Sequence, residues 1–495
     1  MSYTLGIDIG TYETKAALVD GAGIIRAQAT RGHRMLVPQP GWAEHRAEED
    51  WWGDFVYVCQ TILKESGIDP SDIKAVACSA IGPCMLPVDA DGTPLMNAVL
   101  YGVDGRAEAE VRELTDRIGE DTIIARCGNA LTSQSVGPKI LWLQRHRPDL
   151  FERTAHILTS TSFLAQKLTD QIVIDHYTAA NFSPLYDVHT LTWTEELAGD
   201  IVSLDKLPKL LWSGEIAGQV TARAAVETGL APGTVVTAGT IDAAAEALSV
   251  GVDALGDMMM MYGSTIFIIL RAETQVSDPR IWYAPWLFEG EHASMAGLAT
   301  SGTLTHWFRD QLAQELSPDA AFPQLAQEAA SSPPGANGLL VLPYFSGERT
   351  PIHDVHAKGA VFGLNLTHTR GDLYRALVEG IAHGTRHVTD TFAELGQSPK
   401  RLLAVGGGTK NPLWLQATSD ITGIDQVISE KSVGASYGDA FLAALALGQV
   451  TRADITRWNP AADQIVANPT QTYEQAHLLF RKLYEQTKDI AHALG

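Results

Sequence analysis

Alternating apolar and polar residues at the start of the chain predict a β-hairpin. Leu5, Ile7 and Ile9 alternate with small or polar residues, which is the period of two expected for a strand. A turn at Gly10 follows, and the segment KAALVD returns as a second strand. Asp8 lies at the end of the first strand. A carboxylate in such a position is costly unless a cation or a hydrogen-bond donor meets it.

After the hairpin, the pattern alternates between helical and strand periods. The segment AEEDWWGDFVYVCQTILKESG predicts a helix ended by Gly67, and IKAVACSA predicts a strand. GPKILWLQRHRPDLF predicts one helix led by Pro138, because proline suits a first helical turn. GTVVTAGTIDAAAEALSVG predicts a strand that leads into an alanine-rich helix. This alternation is typical of α/β layers.

The opening pattern restarts near residue 250 and predicts a second, related domain. GDMMMMYGSTIFIILRAE again combines a strand, a glycine turn and a strand. Helices are expected in GDLYRALVEGIAHGTRHVTDTFAEL and GASYGDAFLAALALG, and RLLAVGGGTKNPLWLQATSDITG combines a strand, a triple glycine and a helix. We therefore predict domains at residues 1–250 and 251–495, with a cleft between them.

Composition narrows the classes of partner. The 495 residues carry 36 basic and 58 acidic side chains, and the net charge of -22 argues against binding to nucleic acid or to a membrane surface. No apolar run reaches the roughly 20 residues of a membrane span, and the four cysteines lack zinc-ligand spacing. The start of the chain shows no leader pattern, so we expect a cytoplasmic protein with reduced thiols.

Two glycine turns are candidates for phosphate binding. In the first, Asp8 precedes Gly10 and Thr11, and Lys15 follows a few residues later. Such a turn suits phosphate held through Mg²⁺, whose water ligands a carboxylate can hold. The alternative is an ordinary strand end with an aspartate as turn former. The turn containing Thr265 has the same character, and two matching turns in two half-chains suggest a nucleotide held between domains.

Asp242 is a candidate general base. It follows a strand and begins the alanine-rich helix, where it could face the cleft and accept the proton of a substrate hydroxyl. The alternative is a carboxylate stabilised by the helix dipole. The glycine run that starts at Gly406 could bring the backbone close to a ligand, or could simply be a tight turn.

Several segments, taken in order, resemble the FGGY family of sugar kinases. They include GIDIGTYETKAALVD, PGWAEHRAEEDWW, AGTIDAAAEALSVG, YGST and the signature GERTPIHDVHAKGAVFGLNLTHTRGDLYRALVEG. The resemblance covers nearly the whole chain. It implies an α/β fold of two actin-like (ribonuclease H-like) domains flanking a deep catalytic cleft, with ATP and Mg²⁺ as cofactors. It further implies that Asp242 is the general base, that Asp8 is associated with the metal, and that phosphate or nucleotide lies near Thr11, Lys15, Thr265, Gly302, His306, Gly407 and Asn411.

The departures from the family pattern concern the sugar pocket. Gly82 and Pro83 occupy positions where similar xylulokinases carry Met-His, and Ala243 replaces an amide residue. Asp104 is retained from the family's WNDxR segment, and we expect it to contact the sugar. No catalytic role is predicted for Arg349.

The expected reaction is ATP-dependent phosphorylation of a small sugar or polyol, foremost a ketopentose such as xylulose. The alternatives are ribulose, a tetrulose, glycerol or an acid sugar as substrate, or a non-catalytic actin-like ATP switch. The resemblance also implies a homodimer.

Overall fold

The computed structural model describes residues 2–494 and contains two large mixed sheets. The strands of the first sheet, in chain order, are β1 Tyr3–Ile9, β2 Glu13–Asp20, β3 Ile25–Gly32, β4 Ile73–Ala80, β5 Ile216–Gln219, β6 Val235–Thr237 and β7 Thr240–Ile241. Their order in the sheet is β5-β6-β4-β1-β2-β3, with β7 beside the end of β4. The hairpin β1–β2 is antiparallel, and β4 runs parallel to β1.

The second sheet repeats the central arrangement of the first. Its strands are β8 Asp257–Tyr262, β9 Ile266–Ala272, β10 Trp282–Pro285, β11 His292–Leu298, β12 Arg401–Val405, β13 Gln426–Ser429 and β14 Ala461–Ile465. Their order is β10-β11-β9-β8-β12-β13-β14, with an antiparallel β8–β9 hairpin and β12 parallel to β8. The predicted restart of the strand–turn–strand pattern is therefore confirmed.

Helices cover the faces of both sheets and connect them. In chain order they are α1 Gly53–Ser66, α2 Glu108–Ile118, α3 Glu120–Cys127, α4 Val136–His146, α5 Pro148–Arg153, α6 Ser160–Thr169, α7 His176–Ala179, α8 Ala222–Thr228, α9 Asp242–Ser249, α10 Gly302–Leu312, α11 Pro318–Ala330, α12 Arg370–Glu394, α13 Pro412–Thr422, α14 Ala435–Ala446, α15 Ile455–Trp458 and α16 Gln471–Ala493. Small two-stranded pairs join Glu44–His45 to Ala98–Val99, Leu86–Val88 to His156–Leu158, Val173–Asp175 to Lys209–Leu211, Tyr186–Asp187 to Thr192–Trp193, and Leu340–Leu342 to Ala360–Phe362.

The segment predicted as one helix led by Pro138 forms two helices. α4 begins at Val136, and the chain leaves helical geometry at Arg147, whose φ and ψ are -137° and 57°. Proline disfavours the helical conformation in the residue before it, so Pro148 ends α4 and starts α5. The helix expected before Gly67 has a six-residue π-helical entry, Ala47–Trp52, and ends with Gly67 in the left-handed conformation.

Helix α14 lies in the second half of the chain but packs against the first sheet. A Cβ on Gly6 of β1 would lie 1.9 Å from the Ser436 carbonyl oxygen, and one on Gly438 would lie 1.9 Å from the Ala245 carbonyl oxygen. Only glycine permits such close backbone contact. α14 therefore touches both β1 and α9, and these helices form the connection between the two sheets.

The protein interior is apolar and contains its cysteines as thiols. Met258, Met259 and Met260 of β8 are fully buried, as expected for a strand covered on both faces. All four cysteines are buried and unbridged. Among the helices that the structure describes, none combines the length and the apolar character needed to cross a membrane.

Candidate active site

A cleft of about 360 Å³ lies between the two halves of the chain. It is lined on the first-domain side by Asp8, Gly82, Pro83 and Asp242, and on the second-domain side by Thr265 among others. Residues predicted from distant parts of the sequence are therefore brought together here. Their convergence follows from the parallel strands β1, β4 and β7, which end at the same edge of the first sheet.

Asp242 is the first residue of α9 and lines the cleft. Its Oδ1 accepts a hydrogen bond from the Ala243 N–H over 2.7 Å. Burial raises the pKa of Asp242 to about 7, with a further contribution from the nearby Glu246 carboxylate, and the bond from Ala243 opposes the increase. A carboxylate with a pKa near neutrality is suited to accept a proton from an alcohol at physiological pH.

Asp8, Asp242 and Glu246 form an acidic group on one side of the cleft. The pKa of Asp8 lies well above its usual value because of burial, then because of Asp242 and Glu246, while Ser79 and Lys15 oppose the shift. Lys15 stands beside Asp8 in the strand register, and its Nζ is 2.7 Å from Glu13 Oε1. This excess of buried negative charge is an environment that favours a bound cation.

The acidic group fits a magnesium ion that arrives with a nucleotide. Across residues 2–494, no three His, Cys, Asp or Glu side chains are arranged to hold a metal ion by themselves. Mg²⁺ commonly takes one or two carboxylates, water and substrate phosphates instead of a complete protein cage. Asp8, at the tip of β1, is the carboxylate that we expect to serve this ion.

Aromatic and amide side chains line the remainder of the cleft. Phe267 and Trp282 come from the second domain, and their rings stack with centroids 6.3 Å apart. Asn129 joins the two domains, since its Nδ2 donates to the Tyr283 carbonyl and its Oδ1 accepts from the Tyr283 N–H, at 2.7 and 2.8 Å. This end of the cleft therefore offers apolar surface and a few polar groups, as is typical of small-molecule sites.

Asp104 does not belong to this cleft, contrary to the expected contact with sugar. Its side chain is 0% exposed and forms an ion pair with Arg106, at 2.8 Å between Oδ2 and the guanidinium. The Ala43 N–H also donates to Asp104, and the Arg106 guanidinium lies over the ring of Trp42. In this structure the carboxylate is paired within a buried cluster outside the cleft, and a contact between Asp104 and a sugar stays a prediction.

The segments predicted to surround the nucleotide lie around the turn after β8. The N–H of Gly302 donates to the Gly263 carbonyl over 3.0 Å, and a Cβ on Gly302 would lie 2.4 Å from that oxygen. Gly407 begins a short 3₁₀ turn after β12 and has open space where a Cβ would be. Gly302 thus holds the start of α10 against the turn that contains Thr265, whereas the backbone at Gly407 is exposed.

The remaining predicted contacts already have partners within the protein or lie at its surface. Asn411 Oδ1 accepts from the Trp414 N–H as the N-cap of α13. His306 is exposed on α10 and packs edge-on against Phe322. Thr11 lies partly buried after β1, and its carbonyl accepts a hydrogen bond from the ring of His45.

Sequence reasoning missed two charged residues of the cleft. Glu246 lies one helical turn after Asp242, a spacing that could have identified it. Arg349, for which no catalytic role was predicted, also lines the cleft. Its backbone N–H donates to Glu348 over 2.7 Å, whereas its guanidinium has no ion-pair partner in the part of the chain that the structure describes.

Comparisons with known proteins agree with this geometry. Residues 3–249 match the N-terminal domain, and residues 258–447 the C-terminal domain, of the FGGY family of carbohydrate kinases. The structure is similar to that of xylulose kinase from Rhodospirillum rubrum, with a TM-score of 0.94, 31% identity and coverage of 99% and 100% of the two chains.

Curated relatives extend the comparison along the full sequence. Xylulose kinase from Bacillus subtilis is 28% identical over 100% of this chain and 99% of its own. Ribulokinase from Geobacillus thermodenitrificans is 29% identical over 90% of this chain and 86% of its own. The two family domains, the two related sheets and the acidic cleft between them lead to one assignment: this chain belongs to the FGGY family of carbohydrate kinases.

Proposed function

We propose that the protein transfers phosphate from ATP to a hydroxyl of a ketopentose such as xylulose, with Asp242 as general base. The observation that carries this proposal is the Asp242 carboxylate, which opens onto a cleft shared with Thr265 and has a pKa near neutrality. The similarity to kinases named for xylulose and ribulose supports a ketopentose.

In this reaction the protein mainly orients the reactants. Asp242 accepts the proton of the attacking hydroxyl, and Lys15 provides positive charge for a phosphate oxygen when it leaves Glu13. Thr11 and Thr265 supply hydroxyl and backbone groups on the two sides of the phosphates. A magnesium ion bound near Asp8 would neutralise charge on the nucleotide phosphates. Phe267 and Trp282 exclude water from the sugar end of the cleft.

An acid sugar is the second candidate substrate, because Arg349 lines the cleft and forms no salt bridge within the described residues. Guanidinium groups bind carboxylates through paired hydrogen bonds. The small residues Gly82, Pro83 and Ala243 stand where polar residues are expected in similar xylulokinases. The cleft therefore has fewer side chains that can form hydrogen bonds with substrate hydroxyls. The cleft thus admits a substrate other than xylulose itself.

The first test is a substrate panel. We expect ATP consumption only with a sugar present, foremost with xylulose or another ketopentose, when ADP release and sugar phosphate are measured together. The panel also contains ribulose, a tetrulose, glycerol and gluconate. Phosphorylation of gluconate alone would support the acid-sugar candidate. Sugar-independent ATP hydrolysis without any phosphorylated product would contradict the kinase proposal and favour an ATP switch.

The pH dependence provides a second test. Asp242 must be ionised to accept a proton, so we expect kcat/KM for the sugar to fall about tenfold per pH unit below its pKa and to level off above it. The predicted midpoint is about 7. Replacement of Glu246 by Gln removes a like charge and should move the midpoint to lower pH. A midpoint that stays in place in the Glu246→Gln enzyme would contradict the coupling between these carboxylates.

A further inference from the structure

Two histidine rings hold the backbone of the turn that is expected to bind phosphate. The Nε2 of His33 is 3.0 Å from the Gly10 carbonyl oxygen. The Nε2 of His45 is 3.1 Å from the Thr11 carbonyl oxygen, and the two rings meet edge-on with centroids 4.9 Å apart. Neither histidine is among the predicted site residues. The turn after β1 thus depends on two side chains whose purpose the proposed reaction does not yet explain.

The carbonyl groups of this turn all bond to the protein, whereas two of its N–H groups do not. The Tyr12 carbonyl accepts from the His33 N–H, and the Glu13 carbonyl accepts from the Gly10 N–H. No partner is found for the N–H groups of Thr11 and Tyr12 in the part of the chain that the structure describes. The peptide bonds here are trans, so each carbonyl points opposite to the following N–H. A ring that holds a carbonyl therefore directs the next N–H away from itself, where an anion can bind.

The contacts of His33 require a hydrogen on each of its ring nitrogens. Its Nδ1 is 2.9 Å from Asp54 Oδ2, while its Nε2 faces the Gly10 carbonyl. A carbonyl oxygen only accepts, and Asp54 is an acceptor too, because its other oxygen forms an ion pair with Arg31 at 3.0 Å. The His33 side chain is only 3% exposed, so a nitrogen without hydrogen would face an oxygen lone pair with little access to water. Two acceptors at two nitrogens fit the imidazolium form.

His45 requires a hydrogen on one nitrogen only. Its Nδ1 accepts from the Trp51 indole N–H over 3.0 Å, and its Nε2 donates to the Thr11 carbonyl. This ring is therefore neutral, with its hydrogen on Nε2. Burial, followed by the neighbouring His33, lowers the pKa of His45 to about 4. Two adjacent rings thus make the same kind of hydrogen bond to the turn while carrying different charges.

We propose that His33, as an imidazolium, is a positioning residue that presents the Thr11 N–H to a phosphate of the nucleotide. The charged ring donates to the Gly10 carbonyl and polarises the peptide between Gly10 and Thr11, which makes its N–H a stronger donor. Asp54 of α1 holds the other side of the ring. His45 supports the next N–H of the turn without adding charge. This role rests on the proposed function, in which the turn binds a phosphate of ATP.

Glutamine substitutions distinguish the two rings. Glutamine offers one NH₂ group and one carbonyl oxygen, so it can supply the donor and the acceptor of His45 but not the two donors of His33. We expect the affinity for ADP with Mg²⁺, measured by calorimetry, to fall about 10-fold in His33→Gln, because a hydrogen bond from a charged group is lost. His45→Gln should lose clearly less. Packing alone predicts no such order, since both rings contact the turn, and an equal loss in the two variants would contradict the proposal.

His189→Gln is the matched control for the loss of a bond between a histidine and a carbonyl. His189 is exposed, its Nε2 contacts the Ala125 carbonyl over 2.7 Å, and it lies outside the cleft. We expect its affinity for ADP to equal that of the unchanged protein. Unchanged affinity in a folded His33→Gln protein, in contrast, would overturn the proposal.

Nitrogen NMR spectra of the unchanged protein, labelled at histidine, report the ring hydrogens directly. At neutral pH we expect hydrogen on both ring nitrogens of His33 and on Nε2 alone in His45, with signals assigned by their loss in the two glutamine variants. A His33 ring with one bare nitrogen would overturn the proposal. These spectra need neither sugar nor turnover, so their outcome is separate from a failure of the substrate panel.

Discussion

Replacement of Asp242 by Asn is expected to lower turnover by about two to four orders of magnitude, the range typical of removing a general base. The amide keeps the size of the side chain, and its oxygen can still accept the hydrogen bond from the Ala243 N–H. The fold should therefore persist, and the affinity for ATP should change little. Single-turnover kinetics and a nucleotide-binding titration measure the two effects separately.

Glu246→Gln is the matched control for this experiment. It removes one negative charge from the same face of α9, one helical turn away, without removing the proposed base. We expect its turnover at pH 8 to stay within about tenfold of the unchanged enzyme, since neighbouring charges act mainly on the pKa of Asp242. Near-normal turnover in the Asp242→Asn enzyme would remove Asp242 from the role of base.

Replacement of Gly438 by Ala is expected to destabilise the protein severely. The added Cβ would lie 1.9 Å from the Ala245 carbonyl oxygen and 3.1 Å from the Ser249 nitrogen. Both are backbone atoms of the α9 segment, so relief requires that α9 and α14 move apart. Overpacking of this kind costs about 3 kcal/mol or more. Thermal unfolding followed by circular dichroism should show a clear decrease in melting temperature.

The sign of the Gly438→Ala effect makes the test decisive. In a helix with free space around it, Gly→Ala stabilises by about 1 kcal/mol, because alanine has the higher helix propensity. Gly21→Ala is the control, since no atom lies within 4 Å of the position of its Cβ. We expect it to leave the melting temperature nearly unchanged. A Gly438→Ala protein with an unchanged or higher melting temperature would contradict the close contact of α9 with α14.

The contact between α9 and α14 connects the proposed general base to the packing of the two sheets. Asp242 begins α9, while α14 carries Asp439 toward β4. Both helices contribute to one buried apolar cluster that also contains residues of the two sheets. The acidic group near Asp8 and the proposed base thus depend on the same pair of packed helices.

The local pattern of the sequence was sufficient for the central hairpins of both sheets, for several helices and for part of the site. The period-two alternation predicted the first hairpin, and a similar order of apolar strand, glycine turn and apolar strand predicted the second. The spacing of apolar residues predicted α12. The position of Asp242 between a strand and a helix indicated a residue that faces a cleft. These features depend on residues that are close in sequence, and the spacing of those residues directly reflects the period of a strand or a helix. The break before Pro148 was missed, although it follows from proline sterics alone.

The local sequence pattern could not reveal which side chains interact after folding. Asp104 was expected at the sugar, but its carboxylate pairs with Arg106 under Trp42. Nothing in the local pattern distinguishes such a buried ion pair from a ligand contact, because the difference lies in what surrounds the carboxylate. The presence of Arg349 in the cleft likewise depends on how the second domain meets the first.

By itself, the sequence determined the central elements, the repeated hairpins and the family to which the chain belongs, because these follow from short-range periodicity and from motifs taken in order. The tertiary structure alone decided which charged groups share the cleft and which are neutralised elsewhere. Protonation and hydrogen-bond direction depend on burial and on contacts across hundreds of residues, as between Ser79 and Asp439. Such contacts exist only after the two halves have packed together.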